Sequence, residues 1–593
     1  MLPYIGCMMI LLGTCGLEEV EQNQAAVSTE LKGVLHREGP PQFELGIRGG
    51  SLYSTIENDP KTFNTLTARD ADTRAVIDVL MAPLATYDPY KKEFIPHLAD
   101  FKIEIDDQHE TMRVLFTLRN DVYWTNPSGT VKKQLTADDF IFWYDEVEGD
   151  PLVQHPGYPN QFVDMPDGST KRIIIEKIDT FTFAFIYPRI VANPILSSNM
   201  KVGPRFVFQT AKEEGGVEAM LNLLSIDGDV RNILSMGPFH IWEYEPGVKV
   251  VLKRNPYYWE KDSANNTLPY IDYLIYKIVP DQNTSFLLFK NNKIDVYSPR
   301  PEDLDILLKP DEQERNYAVY EGGESLRASF FTVNQNPNTV DSIKYSWFSK
   351  AKFRQALSCL LDRDRIAQNV YRGLAKPAEY FFARANMYFD PAIKLEYTFN
   401  PEHALRLLNS IHITKAEDGL LYDENNNHIE FNLFYGNENT IIANIASIYA
   451  ETLRSYGITL HQRGIDFQNL VARLTQSYDW DMVIVALSAN YWPSGGSNVW
   501  QSNGNFHVWY PLQTKPATDW ERRIDYLYNK GRFTVDKVVA KKIYDEYQRI
   551  ILTQLPIIYV VYPYSYLAIR SKWKNVFYDS LDAFQLRHLF LAP

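Results

Sequence analysis

Cysteine is scarce in this chain. Only Cys7, Cys15 and Cys359 occur among 593 residues, which is too few for a disulfide scaffold, and no CxxC pair suggests a zinc site. Cys359 lies in the segment FRQALSCLLDR, among apolar residues at helical spacing. We therefore expect it to be a small buried hydrophobic residue.

An excess of positive charge is also missing. The formal net charge is −14, which argues against a nucleic-acid partner because phosphate binding relies on concentrated Lys and Arg. After the N-terminal segment no window of about 20 apolar residues could span a membrane, and no repeat of about 20–50 residues indicates a solenoid or propeller. With 45% apolar and 23% charged residues, the chain is typical of a globular protein that is long enough for at least two lobes.

Common motifs of covalent, metal and nucleotide chemistry do not occur. There is no HExxH, GxSxG, GxxxxGK or GxGxxG, and the 11 histidines are scattered without ligand spacing. We therefore expect no metal or other cofactor, and the sequence favours a binding function over a catalytic one. Aromatic residues at 14%, with 38 tyrosines, indicate either a ligand cavity lined by rings or simply a tyrosine-rich composition.

The N-terminus looks like an export signal. Residues 4–15 form an apolar run that is too short to span a bilayer. It ends in Leu-Gly-Thr-Cys, which resembles a bacterial lipoprotein signal in which Cys15 is lipidated and becomes the mature N-terminus. Two features depart from that pattern: no Lys or Arg precedes the run, and Thr14 stands where a smaller residue is usual. An ordinary or wrongly assigned N-terminus is the alternative, and residues 16–42, polar and without periodicity, are predicted to be a tether.

Strand-like and helix-like patterns alternate along the rest of the chain, which predicts a mixed α/β architecture. Residues 111–124 show the period of two that is typical of a half-buried strand. Residues 135–147 then change to helical spacing, with Thr136 as N-cap and Asp139 reaching back to it. Asp138 and Asp139 are adjacent, so they point about 100° apart on a helix, and capping explains Asp139 better than an acid/base pair does.

The order of the motifs resembles that of one known family. The series DPKTFNTLTARDADTRAVIDVLMAPLATYDP with IPHLAD, FTLRNDVYW, LTADDFIFWYDEV, TFAFIYP, MGPFHIWEYEPG, LKRNPYYW, LPYIDYLIYKIVPD, KIDVY, FFTVNQNP, KFRQALSCLLDRDRI and NPEHALRLL is similar to the extracellular solute-binding proteins of the oligopeptide/dipeptide ABC-importer family (bacterial family 5). The resemblance covers residues 45–570. It also implies that Tyr257, Tyr258 and Trp259, in the proline-anchored stretch RNPYYW, pack against the core of the first lobe rather than contact ligand.

The resemblance implies a periplasmic-binding-protein-like (Venus-flytrap) fold, with two α/β lobes that close over a ligand and an additional α/β domain on the first lobe. By this analogy lobe I comprises residues 43–83, 188–328 and 556–593, the extra domain residues 84–187, and lobe II residues 329–555. The apolar segments 329–334 and 555–563 are predicted to be the connecting strands. Such closure makes affinity depend on how much the ligand stabilises the closed form.

The best candidate for the ligand site is the segment WDMVIVALSANYWPSGGSNVW at 480–500. Its apolar run predicts a buried strand that leads into an aromatic loop, and ligands of open α/β sheets bind beyond strand carboxyl ends. In oligopeptide-binding relatives an aspartate at this strand end pairs with the α-ammonium of the peptide, whereas this chain has Asn490. A neutral amide gives an ammonium a weaker bond than a carboxylate does, so either an acid from another strand restores the site or Asn490 binds a hydroxyl or amide. The predicted ligand contacts are Phe467, Ser488, Ala489, Asn490, Tyr491, Trp492 and Trp500, although core packing remains the alternative for each ring.

These patterns predict a monomeric, lipid-anchored, periplasmic or cell-surface component of an ABC importer. It binds peptides, delivers them to a membrane permease and catalyses nothing. An oligosaccharide or other small solute is the alternative ligand. A glycoside hydrolase is the alternative from a different class, and it requires two carboxylates about 5–10 Å apart at the cleft.

Overall fold

The computed structural model describes residues 31–36, 39–68, 70–311, 314–488, 491–581 and 583–592. The predicted signal segment with Cys15, and the predicted ligand contacts Ala489 and Asn490, lie outside the described residues. Within those ranges no helix combines the length and the apolar character that crossing a membrane requires.

The first lobe is built on two sheets. In one of them, Val34–His36, Tyr317–Glu324, Val561–Arg570 and Val296–Tyr297 are neighbours in that order, and Ala375–Pro377 also pairs with Val561–Arg570. In the other, the order is Phe239–Glu245, Lys249–Arg254, Tyr273–Ile278 and Ser51–Ile56. The strand Val34–His36 lies inside the segment that was predicted to be a tether. It is a strand because it pairs in parallel with Val319–Glu321 and buries Val34, although the polar residues around it show no strand pattern.

The second lobe is built on one five-stranded sheet with its own apolar core. The strand order is Thr459–Ile465, Glu430–Gly436, Met482–Ser488, Arg327–Val333 and Ile558–Tyr559. The first three strands are parallel, and Arg327–Val333 is antiparallel to its neighbours. Met482, Val483 and Ile484 are buried, as expected for a strand covered on both faces. Cys359 is fully buried in this core, and burial raises the pKa of its thiol to about 11.

A further four-stranded antiparallel sheet forms a separate core beside the first lobe. Its order is Ile174–Lys177, Thr182–Tyr187, Thr111–Leu118 and Ala99–Asp106. The helix Ala137–Phe142 covers it, with the Phe140 ring stacked on Phe183 at 5.1 Å. The predicted capping box is confirmed, because the Asp139 carboxylate accepts from the backbone N–H of Thr136 at 2.9 Å. Asp138 instead points outward to Lys177 at 2.7 Å.

Helices and short hairpins complete the structure. The helices are Ala71–Ile77, Ala137–Phe142, Ile195–Ser198, Arg205–Leu221, Gln282–Lys290, Pro301–Leu307, Ser342–Phe348, Ala351–Cys359, Arg363–Asn369, Pro401–Asn409, Thr440–Ser455, Phe467–Ala472, Ser497–Trp500, Asp519–Arg532 and Lys537–Gln554. The hairpins pair Ala85–Asp88 with Glu93–Pro96, Tyr123–Thr125 with Lys132–Gln134, Phe162–Asp164 with Thr170–Arg172, Thr414–Lys415 with Leu421–Tyr422, and Tyr578–Asp579 with Ala583–Phe584. The strands Trp573–Lys574 and Phe590–Leu591 also pair, on either side of the last hairpin in the chain.

Two adjacent crossovers connect the lobes. The chain leaves the first lobe after Tyr317–Glu324 and enters the second as Arg327–Val333, and it returns from Ile558–Tyr559 to Val561–Arg570. The Ser325 N–H donates to Pro563 O at 2.8 Å, and the Val560 N–H donates to Ser329 O at 3.0 Å. The return lies inside the predicted segment 555–563, whereas the outward passage comes just before the predicted 329–334. Because the crossovers bond to each other, they form one short hinge.

Two of the three rings of the aromatic corner at 257–259 belong to the scaffold. Tyr258 is 4% exposed and packs with Leu268, Tyr270 and Phe590, and Trp259 packs against the same group. The structural interpretation of Tyr258 and Trp259 is therefore confirmed, whereas Tyr257 is 38% exposed.

Candidate ligand-binding cleft

The strand Met482–Ser488 brings the predicted ligand loop to the hinge. Ser488 lies opposite Arg327, the first residue of the crossover strand in the second lobe. The parallel strands Glu430–Gly436 and Thr459–Ile465 end at the same edge of the sheet, which is where open α/β sheets bind ligands. The loop after Ser488 therefore begins where the chain passes between the lobes.

Three adjoining cavities extend from this point. The first has a volume of about 480 Å³, the second about 270 Å³ and the third about 880 Å³. The first and second share the lining residues Leu326, Phe382, Ala383 and Tyr562, and the second and third share Trp492, Pro493, Gly495 and Asn498. Sites for drug-sized ligands typically measure about 300–1,000 Å³. The three cavities together exceed this range and lie in a row, so they suit a longer, extended ligand.

The first cavity carries charges of both signs. Glu324 is paired with Lys376 at 3.1 Å and with Arg384 at 3.2 Å. Burial alone would lower the pKa of Lys376, but hydrogen bonds to Tyr564 and Glu324 raise it above its usual value. Lys376 therefore stays protonated, and the charge of Glu324 is already compensated by protein cations.

Asp579 is different, because its partners are neutral. Its carboxylate accepts from the Tyr90 hydroxyl and from the Leu581 N–H at 2.6 Å. None of the ion pairs among the described residues involves Asp579, and it lines the first cavity. A carboxylate held by neutral donors keeps its negative charge available to a ligand cation.

The second cavity is walled by rings. Trp500 is 9% exposed, and its ring lies 4.7 Å from Phe381 and 5.3 Å from Trp509. Burial raises the pKa of Tyr559 and Tyr562 well above the usual value, so both phenols stay neutral. This part of the cleft can pack apolar side chains of a ligand and offers hydroxyl groups for hydrogen bonds.

The third cavity lies between residues 151–197 and the second lobe. Seven amide side chains and five tyrosines line it, and among its lining residues there is no Asp or Glu. Elsewhere in the described ranges, no group of three or more His, Cys, Asp or Glu side chains is arranged to hold a metal ion. The cleft is therefore equipped for hydrogen bonding, ring packing and charge contacts.

Comparison with known proteins identifies the family. The model of bacterial extracellular solute-binding proteins, family 5 (middle), matches residues 93–507. The chain belongs to this family. A probable ABC transporter-binding protein of Deinococcus radiodurans is 26% identical over 527 residues, which cover 84% of this chain and 85% of that protein. The family consists of transporter substrate-binding components and is not an enzyme family.

Solved structures show the same fold. The oligopeptide-binding protein AppA of Bacillus subtilis, in complex with a nonapeptide, superposes with a TM-score of 0.72 at 20% sequence identity. The alignment covers 93% of this chain and 100% of the AppA chain. The periplasmic binding protein MelB of Agrobacterium fabrum, in complex with stachyose, has a TM-score of 0.74 at 18% identity, with coverage of 93% and 86%. The family and the two-lobe α/β fold expected from the motif order are thus confirmed.

The predicted contacts of this solute-binding protein do not all meet at the cavities. Ser488, Trp492 and Trp500 line the second cavity, and Trp492 also lines the third. Phe467 begins the helix after the strand Thr459–Ile465, is 50% exposed and lines none of the three cavities. Tyr491 joins the lobes: its hydroxyl donates to Leu581 O, and its ring centroid lies 4.8 Å from that of Tyr87.

Sequence reasoning missed the charged residues of the first cavity. Asp579 reaches the cleft because its hairpin docks on the strand Tyr317–Glu324, where the Ser580 N–H donates to Gly322 O at 2.7 Å. A side chain at Gly322 would collide with Tyr578 and Ser565, so the glycine permits this docking. No local spacing in the sequence marks Asp579 as a site residue.

Proposed function

We propose that this protein is the substrate-binding component of an ABC importer, and that it captures peptides between its lobes and releases them unchanged to a membrane permease. The observation that carries the proposal is the row of three cavities beside a hydrogen-bonded double crossover. Closure around such a hinge buries a long ligand and makes binding depend on the closed form. The peptide bound in the AppA structure supports this ligand class.

Within this proposal, Asp579 takes the role that an aspartate at position 490 would have. The ammonium group of a peptide binds the Asp579 carboxylate in the first cavity, while Ser488, Trp492 and Trp500 line the adjoining part of the cleft. Asn490 and Ala489 follow Ser488 directly and contact the ligand backbone. Phe467 and Tyr491 act at the margin of the cleft, Phe467 by contact with longer ligands and Tyr491 by holding the lobes together.

The division of the chain and its attachment are part of the same proposal. Lobe I comprises 43–83, 188–328 and 556–593, the extra domain 84–187, and lobe II 329–555, except that the strand Val34–His36 is added to lobe I and the strand Ile558–Tyr559 to lobe II. The protein is a monomer that is exported and anchored to the membrane through lipid on Cys15. Intact-mass measurement of protein from its own host, compared with Cys15→Ser, tests the anchor: wild type should carry a diacylglycerol and partition into detergent, and the variant should not.

Native mass spectrometry of protein purified from its own host tests the ligand class. A ladder of co-purified peptide masses, exchangeable and unaltered, supports the proposal, and their addition should raise the melting temperature by linkage. Consumption of the ligand would instead reveal an enzyme. A single carbohydrate mass would favour an oligosaccharide receptor, the second candidate, which is supported by the seven amides of the third cavity and by stachyose in the MelB structure.

Asp579→Asn tests the ammonium site. A charge-assisted hydrogen bond is worth about 1.5–3 kcal/mol, so affinity for peptides with a free N-terminus should fall about 10- to 100-fold, whereas affinity for N-acetylated peptides should not change. Asp423→Asn is the matched control, since Asp423 also has neutral donors, Trp347 and Asn427, but lines none of the cavities. Equal losses for free and acetylated peptides would contradict the assignment.

A further inference from the structure

The strand Val34–His36, here called the tether strand, brings part of the predicted tether to the first cavity. In its parallel pairing with the first lobe, His36 lies opposite Glu321, and both residues line the cavity. Side chains two positions apart share one face of a strand. Val34, on the same face as His36, is buried in the core of the first lobe, whereas Leu35 is 37% exposed. The tether strand is therefore held to the lobe by Val34 and ends at the cavity.

The turn before the tether strand fixes where the chain reaches the first lobe. The Val34 N–H donates to Leu31 O at 3.2 Å, and the Arg315 guanidinium donates to Gly33 O at 3.3 Å. Gly33 has a φ of +78°, and a side chain there would begin 2.4 Å from a guanidinium nitrogen of Arg315. Because glycine alone suits both this conformation and this close approach, the turn is matched to its place on the lobe.

The imidazole of His36 is not used by the protein itself. Its Nδ1 atom lies 3.7 Å from Glu321 Oε1, which is too long for a hydrogen bond, and the Glu321 carboxylate accepts from the Tyr566 hydroxyl at 3.1 Å instead. Within the described ranges no group hydrogen-bonds the His36 ring, and 43% of its side chain is exposed. An imidazole carries at least one N–H donor in either protonation state, so His36 offers a donor to a ligand.

His36 lies on the same wall of the cavity as Asp579. Gly322 directly follows Glu321, the pairing partner of His36, and its carbonyl oxygen accepts from the Ser580 N–H at 2.7 Å. Ser580 in turn directly follows Asp579, and both residues line the first cavity. A peptide whose ammonium group binds Asp579 therefore places its first residues beside the tether strand.

We infer that the tether strand is part of the binding site, and that His36 donates a hydrogen bond to a carbonyl near the N-terminus of a bound peptide. The inference rests on the proposed peptide-binding function and adds a coupling to it. A peptide that contacts His36 binds the protein more tightly when the tether strand is docked than when it is detached. By reciprocity, peptide binding must favour docking of the strand by the same factor.

Titration calorimetry with a pool of random nonapeptides that have free termini measures the contact. His36→Ala should weaken affinity about 2- to 13-fold, as expected for one hydrogen bond. Val34→Asp places a charge in an apolar core and should detach the strand, so it should weaken affinity at least as much. Because detachment already removes His36 from the cavity, adding His36→Ala to Val34→Asp should cause no further loss.

Leu35→Asp is the matched control for these variants. It adds the same charge to the same strand, but on the exposed face, and Leu35 lines none of the three cavities. Its affinity for the nonapeptide pool should equal that of the wild type.

Hydrogen exchange measured by mass spectrometry tests the coupling without a destabilising substitution. A saturating amount of the nonapeptide pool should slow amide exchange at residues 31–36 of the wild type about 2- to 13-fold. The edge strand Ile174–Lys177, which lines none of the cavities, should exchange at the same rate with and without peptide. His36→Ala should abolish the slowing at 31–36 and leave exchange of the unliganded protein nearly unchanged, which a purely structural role of His36 would not produce.

The outcomes separate this inference from the proposed function. If the wild type binds the peptides but His36→Ala binds them equally well, or if peptide leaves exchange at 31–36 unchanged, the inference is wrong while peptide binding stands. If the double variant binds more weakly than Val34→Asp alone, His36 acts without the docked strand and the coupling is wrong. If the wild type binds no peptide, the proposed function and the inference both fail.

Discussion

Tyr491 links the two lobes, and replacing it by phenylalanine tests how the cleft closes. Its hydroxyl donates to Leu581 O, on the hairpin docked against the first lobe, while its ring lies on Tyr87. Tyr491→Phe removes only the hydrogen bond, whose net contribution is about 0.5–1.5 kcal/mol. Because the bond exists only when the lobes are together, its loss should lower the ratio of closed to open form about 2- to 13-fold.

The effect on binding follows from the hinge. Where the closed form is the minor state without ligand, the apparent dissociation constant rises by the same factor. Tyr491→Ala also removes the ring contact, worth about 0.5–1.5 kcal/mol more, so its loss of affinity should be larger. Titration calorimetry with a pool of random nonapeptides that have free termini measures affinity, and small-angle X-ray scattering measures the radius of gyration of the unliganded protein.

Tyr478→Phe is the control for this experiment. The Tyr478 hydroxyl also donates to a backbone carbonyl, that of Thr475 at 2.7 Å, but both residues belong to the second lobe. It should bind like the wild type. If Tyr491→Phe also binds as tightly as the wild type and has the same radius of gyration without ligand, the interlobe role of Tyr491 is refuted.

Three further predictions concern stability. Burial lowers the pKa of His240 from 6.5 to about 4. Between these pH values the unfolded chain binds a proton that the folded protein does not, so the free energy of unfolding should fall by about 3 kcal/mol as the pH decreases from 6.5 to 4. Urea unfolding measured at several pH values should show that His240→Asn weakens this pH dependence. Asp139→Ala should lower the free energy of unfolding by about 0.5–2 kcal/mol, because the helix loses its cap. Asp138→Ala breaks only an exposed ion pair and should lower it by about 0.2–1 kcal/mol. Equal losses in chemical unfolding would contradict the capping role of Asp139. Arg363 is buried and donates to Tyr559 O at 2.9 Å beside the hinge. Arg363→Met should therefore lower the free energy of unfolding by about 1–3 kcal/mol for each acceptor left unpaired. An unchanged melting temperature would contradict this prediction.

Structural features that depend on residues close together in the chain could be predicted from the sequence. The helix that starts after Thr136 and the strand Met482–Ser488 follow from local periods and capping chemistry, because these depend on residues a few positions apart. The family followed from the order of many such segments. The position of the ligand loop at a sheet edge followed from the rule that strands of one direction end together.

The sequence by itself determined the α/β class, the two lobes and the aromatic loop beyond Ser488. Tertiary structure alone brought Asp579 and Glu324 to the cleft, and it made part of the predicted tether an edge strand. Asp579 and Glu324 both lie far from Ser488 in the chain, and neither belongs to a sequence spacing that marks it as a site residue. Their positions depend on how hairpins and helix ends dock across lobes, which is set by packing and by long-range hydrogen bonds rather than by local propensity.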